Sequence, residues 1–416
     1  MNRALLALAC VALSAGAAAA QDSAGPRPVV SAPPKTEDPK KAEPRTDAAS
    51  KKEAEKKEAP AIPAAISRGV EVIMGLQEGE PKAEWPYEGV YRVGGKIPIG
   101  YRVGGTGISA LALLHAPGYA ESEERKAAVA HAVDFVCGSI THELMNPDYD
   151  STYDVRGWGY TYGLELLLRL KAQKLMPKGR AEAAEKAIAW FIKAIEQSEI
   201  PEAGGWNYSR PGGKLKPSPP SPFMTGPTLQ VLFEAKRQGY AVDEAVVTRA
   251  LDFLQSAHTS SGAVVYSGKG GDRAREATPG AVGRMLVTET TLFLAGRSNQ
   301  SNIRAAIDAF IVHWSWLDQR RAKDGTHKPP YMIAPYYFYY AHYYAAQAVE
   351  QLPQHERAEY RRRINDLLFS VRLDDGSWND RVFPRSANFG TAMATMALMM
   401  PELPKPAKWA KAQDPK

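Results

Sequence analysis

The stretch Lys186-Ala187-Ile188-Ala189-Trp190-Phe191 places a small residue three and four positions before a bulky apolar pair. This i, i+3, i+4 spacing brings the three side chains onto one face of an α-helix. The same pattern recurs roughly every 60 residues, and such a period is typical of stacked supersecondary units. Its six copies begin at Arg68, His131, Lys186, Arg249, Ala306 and Arg363.

A second pattern, rich in glycine, proline, threonine and tyrosine, follows each copy and precedes another apolar run. Gly105-Thr106-Gly107 and Met224-Thr225-Gly226 are examples. We predict that each such pattern opens a second helix, so that the chain is an all-α protein built from six pairs of helices. The predicted second helices cover 108–114, 164–170, 229–235, 286–294, 340–349 and 392–399.

The last copy continues into Arg372-Leu373-Asp374-Asp375-Gly376-Ser377-Trp378. This run resembles the QW repeat of squalene–hopene and oxidosqualene cyclases, although Arg372 stands where that repeat has glutamine. The first copy keeps a glutamine, Gln77, and the third ends in Gly205-Trp206, whereas Val264 replaces the tryptophan of the fourth.

The resemblance covers about 61–401 and points to the terpenoid cyclase and protein prenyltransferase superfamily. It implies an (α/α)6 toroid, in which inner helices line a central funnel and outer helices surround them. Helix pairs with one apolar face each must stack, and six such wedges can close into a ring.

The composition excludes some classes of function. The formal net charge is only +6 over 416 residues, without the clustered lysines and arginines that bind phosphates. We therefore expect no nucleic-acid partner. No apolar run is long enough for a good transmembrane helix, and the sequence says nothing about oligomeric state.

The chain begins with the features of a secretory signal peptide, namely Arg3, an apolar run and small residues up to Ala20. Cleavage near Ala20 predicts a periplasmic or secreted protein. Residues 21–60, rich in proline, lysine and glutamate, are predicted to form a disordered linker. The toroid domain is then 61–403, and 404–416 is predicted to be a flexible tail.

Aromatic and charged residues concentrate in the segments that precede the second helices, which in a toroid meet at one mouth of the funnel. Aromatic faces and arginine forks around a concavity suit an amphipathic ligand such as a glycan, a peptide or an isoprenoid. The competing interpretation is structural, with tryptophans that tie loops to helices and charges that form local salt bridges. The candidate ligand-binding residues are Arg156, Trp158, Tyr160, Trp206, Tyr208, Arg210, Arg273, His327, Tyr336, Tyr337 and Arg381.

The chain lacks the Asp-x-Asp-Asp acid motif of squalene–hopene cyclases, which disfavours a terpene cyclase. It also lacks the Asp-x-Cys spacing of prenyltransferase zinc sites, and no metal or other cofactor is predicted. The alternative to simple ligand binding is a polysaccharide lyase or glycoside hydrolase that uses carboxylate and arginine acid–base chemistry. The candidate catalytic residues are Asp154, Asp272, Glu276 and Asp380.

Overall fold

The computed structural model describes residues 61–409. The predicted signal peptide, the predicted linker and residues 410–416 of the predicted tail lie outside the described residues. The described part of the chain forms twelve α-helices. They are α1 Ile62–Gly75, α2 Ile99–His115, α3 Glu123–Gly138, α4 Arg156–Ala172, α5 Ala181–Gln197, α6 Pro222–Arg237, α7 Glu244–Ser256, α8 Thr278–Leu294, α9 Gln300–Asp318, α10 Tyr337–Val349, α11 Gln354–Phe369 and α12 Ala387–Met399.

The even-numbered helices form a closed inner ring. Each packs against the next, from α2 to α12, and α12 packs against α2. The odd-numbered helices lie outside, for example α9 against α8 and α10, and α1 against α12 and α2. The predicted all-α fold, an (α/α)6 toroid of six helical hairpins, is confirmed.

The outer helices bury one face, as their sequence pattern predicts. In α5, Ala187 and Phe191 are fully buried, whereas Lys186, the residue before Ala187, is exposed. Side chains cap several of these helices at their first turn: Asp243 accepts from the backbone N–H of Ala245 at 2.8 Å. The inner helices are buried almost all round because they have neighbours on every side.

The inner helices begin earlier than the sequence predicted. α2 begins at Ile99 rather than at 108, and α4 begins at Arg156 rather than at 164. The glycine-rich phrases interpreted as helix-opening turns therefore lie inside the helices. Their role is close packing, because a Cβ atom at Gly104 would overlap the indole ring of Trp158 on the neighbouring helix. The gain in packing offsets the roughly 1 kcal/mol by which glycine is disfavoured in a helix.

Three tryptophans tie an outer helix to the inner helix that follows it. Each indole N–H donates to a carbonyl in the last turn of the outer helix, at 2.6 to 2.9 Å. Each tryptophan backbone N–H donates to a threonine hydroxyl of the inner helix, at 2.9 to 3.1 Å. This is the structural role that the sequence analysis left open for these residues. The pairs are Trp85 with Thr106, Trp206 with Thr225, and Trp378 with Thr391.

The two ends of the toroid differ in their connections. At one end, which we call the mouth, long segments lead from each outer helix to the next inner helix: 76–98, 139–155, 198–221, 257–277, 319–336 and 370–386. At the other end, the turn end, short connections lead back outward: 116–122, 173–180, 238–243, 295–299 and 350–353.

The chain after α12 packs over part of the turn end. The backbone N–H of Trp409 donates to the carbonyl of Leu294 at 3.0 Å, and its ring packs on Phe233 with centroids 5.4 Å apart. The first residues of the predicted tail therefore contact α6 and α8. No helix within 61–409 combines the length and the apolar character needed to cross a bilayer.

Candidate functional site

Aromatic side chains of the inner helices fill the axis of the toroid below the mouth. Trp158 of α4 stacks on Phe223 of α6, with centroids 5.7 Å apart. Phe223 in turn packs on Tyr340 of α10 at 4.4 Å. Closer to the turn end, the hydroxyl groups of Tyr162 and Tyr344 lie 3.5 Å apart.

The axis is therefore not the open funnel that the sequence predicted, because large rings rather than small residues occupy the positions that point inward. The remaining cavity has a volume of about 30 Å³, room for one or two water molecules. It is lined by Tyr87, Tyr101, Tyr153, Val155, Trp158, Tyr208, Phe223, Met224 and Tyr336.

Above the filled axis, the mouth contains a chain of hydrogen-bonded tyrosines that ends on a histidine. The hydroxyl of Tyr208 bonds to that of Tyr266 and lies 2.8 Å from that of Tyr336. The Tyr336 hydroxyl lies 3.1 Å from Nε2 of His327. These four residues come from three different segments of the mouth, so these hydrogen bonds join units that are far apart in sequence.

A second and larger cavity, of about 360 Å³, opens beside these hydrogen-bonded tyrosines. Tyr266, Glu276, Arg284 and His327 contribute its polar wall, together with the exposed side chain of Arg275. The rings of Tyr266 and His327 pack edge to face, with centroids 4.9 Å apart. We call this the mouth cavity.

Arg284 of α8 forms the buried floor of the mouth cavity. Its side chain is 1 % exposed and donates to Glu276 at 2.6 Å and to the hydroxyl of Tyr337 at 3.2 Å. The guanidinium also lies over the ring of Tyr266, 5.7 Å from its centroid. Burial opposes its charge, but Tyr337 and Glu276 outweigh that effect, so that the pKa of Arg284 is raised and the group stays charged.

His327 is held in its neutral form. Burial, together with the positive charges of Arg284, Arg381 and Arg320, lowers its pKa to about 4. The imidazole at neutral pH can therefore accept a proton. A negatively charged ligand beside these arginines would raise the pKa of His327 and make it a stronger base.

Asp380 and Arg381 lie behind the tyrosine chain. Asp380 is fully buried, accepts from the Tyr87 hydroxyl at 3.2 Å through Oδ2, and has no hydrogen-bond partner for Oδ1 among the described residues. Burial raises its pKa to about 7, although Arg381 counteracts this. Arg381 donates to Tyr87 at 3.1 Å and lies over the ring of Tyr336.

The structure therefore brings eight of the sequence candidates together at the mouth. Trp158, Tyr208 and Tyr336 line the axial cavity. The others are Glu276, His327, Tyr337, Asp380 and Arg381, all joined by the contacts above.

Other candidates lie in local contacts elsewhere. Asp154 pairs with Arg156, whose other nitrogens hold loop carbonyls of Asn146 and Tyr149. Tyr160 and Trp206 donate to the backbone carbonyls of Met145 and Ile195, respectively. Arg210 donates to the carbonyls of Ser198 and Lys214. Asp272 and Arg273 are exposed on the 257–277 segment and line neither cavity.

Several residues of the site were missed as candidates. Tyr87 and Tyr266 belong to the aromatic loop segments but could not be ranked above their neighbours by composition. Arg284 lies on a helix that reads as core, so nothing in its local sequence singles it out. The signal in the sequence was that Val264 stands where the repeat has tryptophan, since Arg284 donates to the Val264 carbonyl.

No group of three or more histidine, cysteine, aspartate or glutamate side chains within 61–409 is arranged to hold a metal ion.

No protein-family model matches the sequence, and no curated protein matches it either. Solved structures do match in fold. An α-1,6-mannanase from Salegentibacter sp. HEL1_6 aligns over 82 % of this chain and 99 % of its own, with a TM-score of 0.54 and 10 % identity. Unsaturated glucuronyl hydrolase from Bacillus sp. GL1 aligns over 82 % and 97 %, with a TM-score of 0.54 and 12 % identity.

A type II terpene cyclase from Scytonema aligns over 82 % of this chain and 98 % of its own, with a TM-score of 0.50 and 12 % identity. The chain has the α/α toroid fold. The resemblance to the terpenoid cyclase superfamily is thereby confirmed for the fold alone. The mannanase and the glucuronyl hydrolase have the same fold. At these identities the comparison carries no information about which residues act.

Proposed function

We propose that this toroid is an enzyme that cleaves polysaccharides bearing carboxylate groups, by β-elimination at the mouth cavity. The observation that carries the proposal is that His327, held neutral, and Tyr266 lie in contact with each other on the wall of a cavity whose other charges are mostly arginines. The same fold supports enzymes named for their action on glycans, the mannanase and the glucuronyl hydrolase described above.

The mouth cavity suits an acidic sugar. Arg275 is exposed there and forms no ion pair or hydrogen bond with a described residue, so it is free to bind a carboxylate. Arg284 is neutralised in part by Glu276, but Arg381 and Arg320 add positive charge close to His327. The aromatic rings of the neighbouring tyrosines offer flat surfaces for the apolar faces of adjacent sugar units.

The reaction needs a base and an acid on the same cavity. His327 would take the proton from the carbon that carries the carboxylate, and the electron pair would form a carbon–carbon double bond as the glycosidic carbon–oxygen bond breaks. Tyr266 would donate its hydroxyl proton to the departing sugar oxygen. Burial raises the pKa of Tyr266 to about 12, so it is fully protonated at neutral pH.

Hydrolysis by two carboxylates is supported less well. Glycoside hydrolases need a pair of acidic groups about 5 to 9 Å apart around the scissile bond. Glu276 lines the mouth cavity, Asp154 pairs with Arg156 at a separate cleft, and Asp380 is enclosed behind Tyr87. The candidate carboxylates thus do not surround one common cavity.

The test is to compare turnover with binding in two isosteric variants. We expect His327→Gln and Tyr266→Phe each to lower kcat on an acidic polysaccharide at least about 100-fold, since an acid or a base contributes that much, while KM changes little. Arg273→Gln is the matched control and should behave as wild type, because Arg273 is exposed on the 257–277 segment that also contains Tyr266. Equal kcat in wild type and both site variants would contradict the assignment.

A further inference from the structure

The tyrosine chain connects the two residues to which we assign the acid and base roles. Tyr266, the proposed acid, bonds to Tyr208, whose hydroxyl lies 2.8 Å from that of Tyr336. The Tyr336 hydroxyl lies 3.1 Å from Nε2 of His327, the proposed base. Tyr266 and His327 line the mouth cavity, whereas Tyr208 and Tyr336 line the axial cavity. The two middle hydroxyl groups thus belong to residues outside the cavity in which the substrate is proposed to react.

The three hydroxyl groups of the tyrosine chain have only one another and His327 as hydrogen-bond partners among the described residues. Other tyrosines donate to fixed acceptors: Tyr340 donates to the carbonyl of Phe223 at 3.0 Å, and Tyr360 to Asp308 at 2.9 Å. A hydroxyl bonded to a carbonyl can only donate, whereas one that lies between two hydroxyl groups can donate to either. The tyrosine chain can therefore hold its protons in both directions, which a purely structural contact does not require.

The contact with Tyr336 determines which nitrogen of His327 can act as the base. Nε2 is occupied by the Tyr336 hydroxyl, whereas Nδ1 has no hydrogen-bond partner among the described residues. If Nδ1 takes the proton from the substrate, neutral His327 must carry its own proton on Nε2. That N–H donates to Tyr336, and each following hydroxyl can then donate towards Tyr266.

Separated charges are unfavourable at both ends of the tyrosine chain. The pKa of His327 is about 4 and that of Tyr266 about 12, so neither an imidazolium nor a tyrosinate is stable near neutral pH. Tyr208 is only 9 % exposed, which limits the access of bulk water to the middle of the chain. Protons that move together along the chain would leave every group neutral.

We propose that Tyr336 and Tyr208 form a proton relay from the base to the acid. The inference rests on the elimination proposed above. His327 Nδ1 takes the proton from the sugar carbon as Nε2 passes its own proton to the oxygen of Tyr336. Tyr336 passes its proton to Tyr208, and Tyr208 passes its proton to Tyr266. Tyr266 protonates the departing sugar oxygen.

Atoms and charges balance in this step. The electron pair of the carbon–hydrogen bond forms the carbon–carbon double bond, and the pair of the broken carbon–oxygen bond stays on the sugar oxygen. His327 ends as the neutral Nδ1–H tautomer, and the three tyrosines end with their protons reversed in direction. His327 returns to its starting tautomer by exchange with water once the product has left.

The kinetic test removes one relay hydroxyl at a time. Tyr336→Phe and Tyr208→Phe keep the ring and both proposed catalytic residues, and we expect each to lower kcat on an acidic polysaccharide at least about tenfold with little change in KM. In wild type, kcat should depend on the deuterium fraction of the solvent along a curve, because several protons move together, and this dependence should become linear in both variants. Tyr91→Phe, which removes a donor 2.6 Å from the carbonyl of Tyr153, is the matched control and should behave as wild type.

Tyr208→Phe distinguishes a relay from simple positioning of the base. Tyr208 forms no hydrogen bond with His327, so a Tyr336 hydroxyl that only orients the imidazole would leave kcat of Tyr208→Phe at the wild-type value. That result would overturn the relay and leave the elimination itself standing. A wild-type protein that cleaves no acidic polymer would instead refute the elimination, and the relay with it.

A second measurement does not depend on turnover. Nitrogen NMR of the full-length protein labelled at histidine should show His327 as the Nε2–H tautomer near neutral pH, with its signals identified by their loss in His327→Gln. It tests the relay even if a tyrosine variant does not fold. The Nδ1–H tautomer in the free protein would contradict the relay, because Nδ1 could then accept no proton from the substrate.

Discussion

Arg284 Nε donates to the carbonyl oxygen of Val264 at 3.2 Å. In two other units a threonine hydroxyl makes the corresponding contact with a tryptophan carbonyl, at 3.3 Å for both Thr225 and Thr391. The fourth unit thus has arginine and valine where the framework elsewhere has threonine and tryptophan. Because arginine is longer, its guanidinium also reaches Glu276 and the mouth cavity, and a framework position becomes part of the site.

Restoring the framework residue should remove the function of this position. We expect Arg284→Thr to fold, since threonine fits the same place in other units, and to bind galacturonate oligomers at least about tenfold more weakly by calorimetry. Arg362→Thr, on the outer face of α11, is the control for loss of a positive charge. Unchanged binding in Arg284→Thr would show that Arg284 is only structural.

Asp380 should make the stability of the protein depend on pH. Its pKa rises from 3.8 to about 7 on folding, so the folded state holds a proton that the unfolded state releases. Its contribution to the free energy of unfolding must therefore fall as the pH rises from about 4 to about 7. Asp380→Asn cannot titrate, and its stability relative to wild type should increase across this window by an amount of the order of 4 kcal/mol.

The measurement is urea denaturation of both proteins at several pH values. His327 titrates with the opposite sign, because its pKa is lowered to about 4, but it is present in both proteins and cancels in the difference. A difference that does not change between pH 4 and pH 7 would contradict the buried, protonated state of Asp380.

Close packing of α2 on α4 should depend on glycine. Gly104→Ala would place a methyl group in the indole ring of Trp158, and we expect it to lower the free energy of unfolding by about 1–3 kcal/mol or more. Gly138→Ala is the matched control, because it ends α3 with no atom near its Cβ position. It should be neutral or slightly stabilising, since alanine favours helix. Equal midpoints of urea denaturation in both variants would exclude the packing role.

Trp378 should contribute to stability through its indole N–H as well as through its apolar surface. Trp378→Phe removes the indole donor 2.9 Å from the Leu368 carbonyl, which keeps only the longer contact from the Val371 N–H at 3.4 Å, and Trp378 is fully buried. We expect a loss of about 0.5–1.5 kcal/mol from the lost hydrogen bond, with further loss from the smaller ring. A thermal denaturation midpoint equal to that of wild type would show that the tie between α11 and α12 is dispensable.

The fold could be predicted from the sequence because the apolar spacing repeats in every unit, and six similar helix pairs can close into a ring. It failed at the starts of the inner helices, where glycine normally marks a turn but here serves packing, as at Gly104. It also failed at the axis, because Trp158 and Phe223 read equally well as funnel lining and as core. Arg284 could be found only by comparing the units with one another, and the chain from Tyr208 to His327 depends on loop paths that periodicity does not encode.

The most direct test of the proposed function is to incubate the purified protein with pectate, alginate and hyaluronan and to follow the ultraviolet absorbance of the new double bond. We predict that the absorbance rises with at least one of these acidic polymers, and that the same polymer with its carboxylates reduced to alcohols is not cleaved. No rise with any of them would contradict elimination at the mouth cavity, as would new reducing ends formed without any double bond.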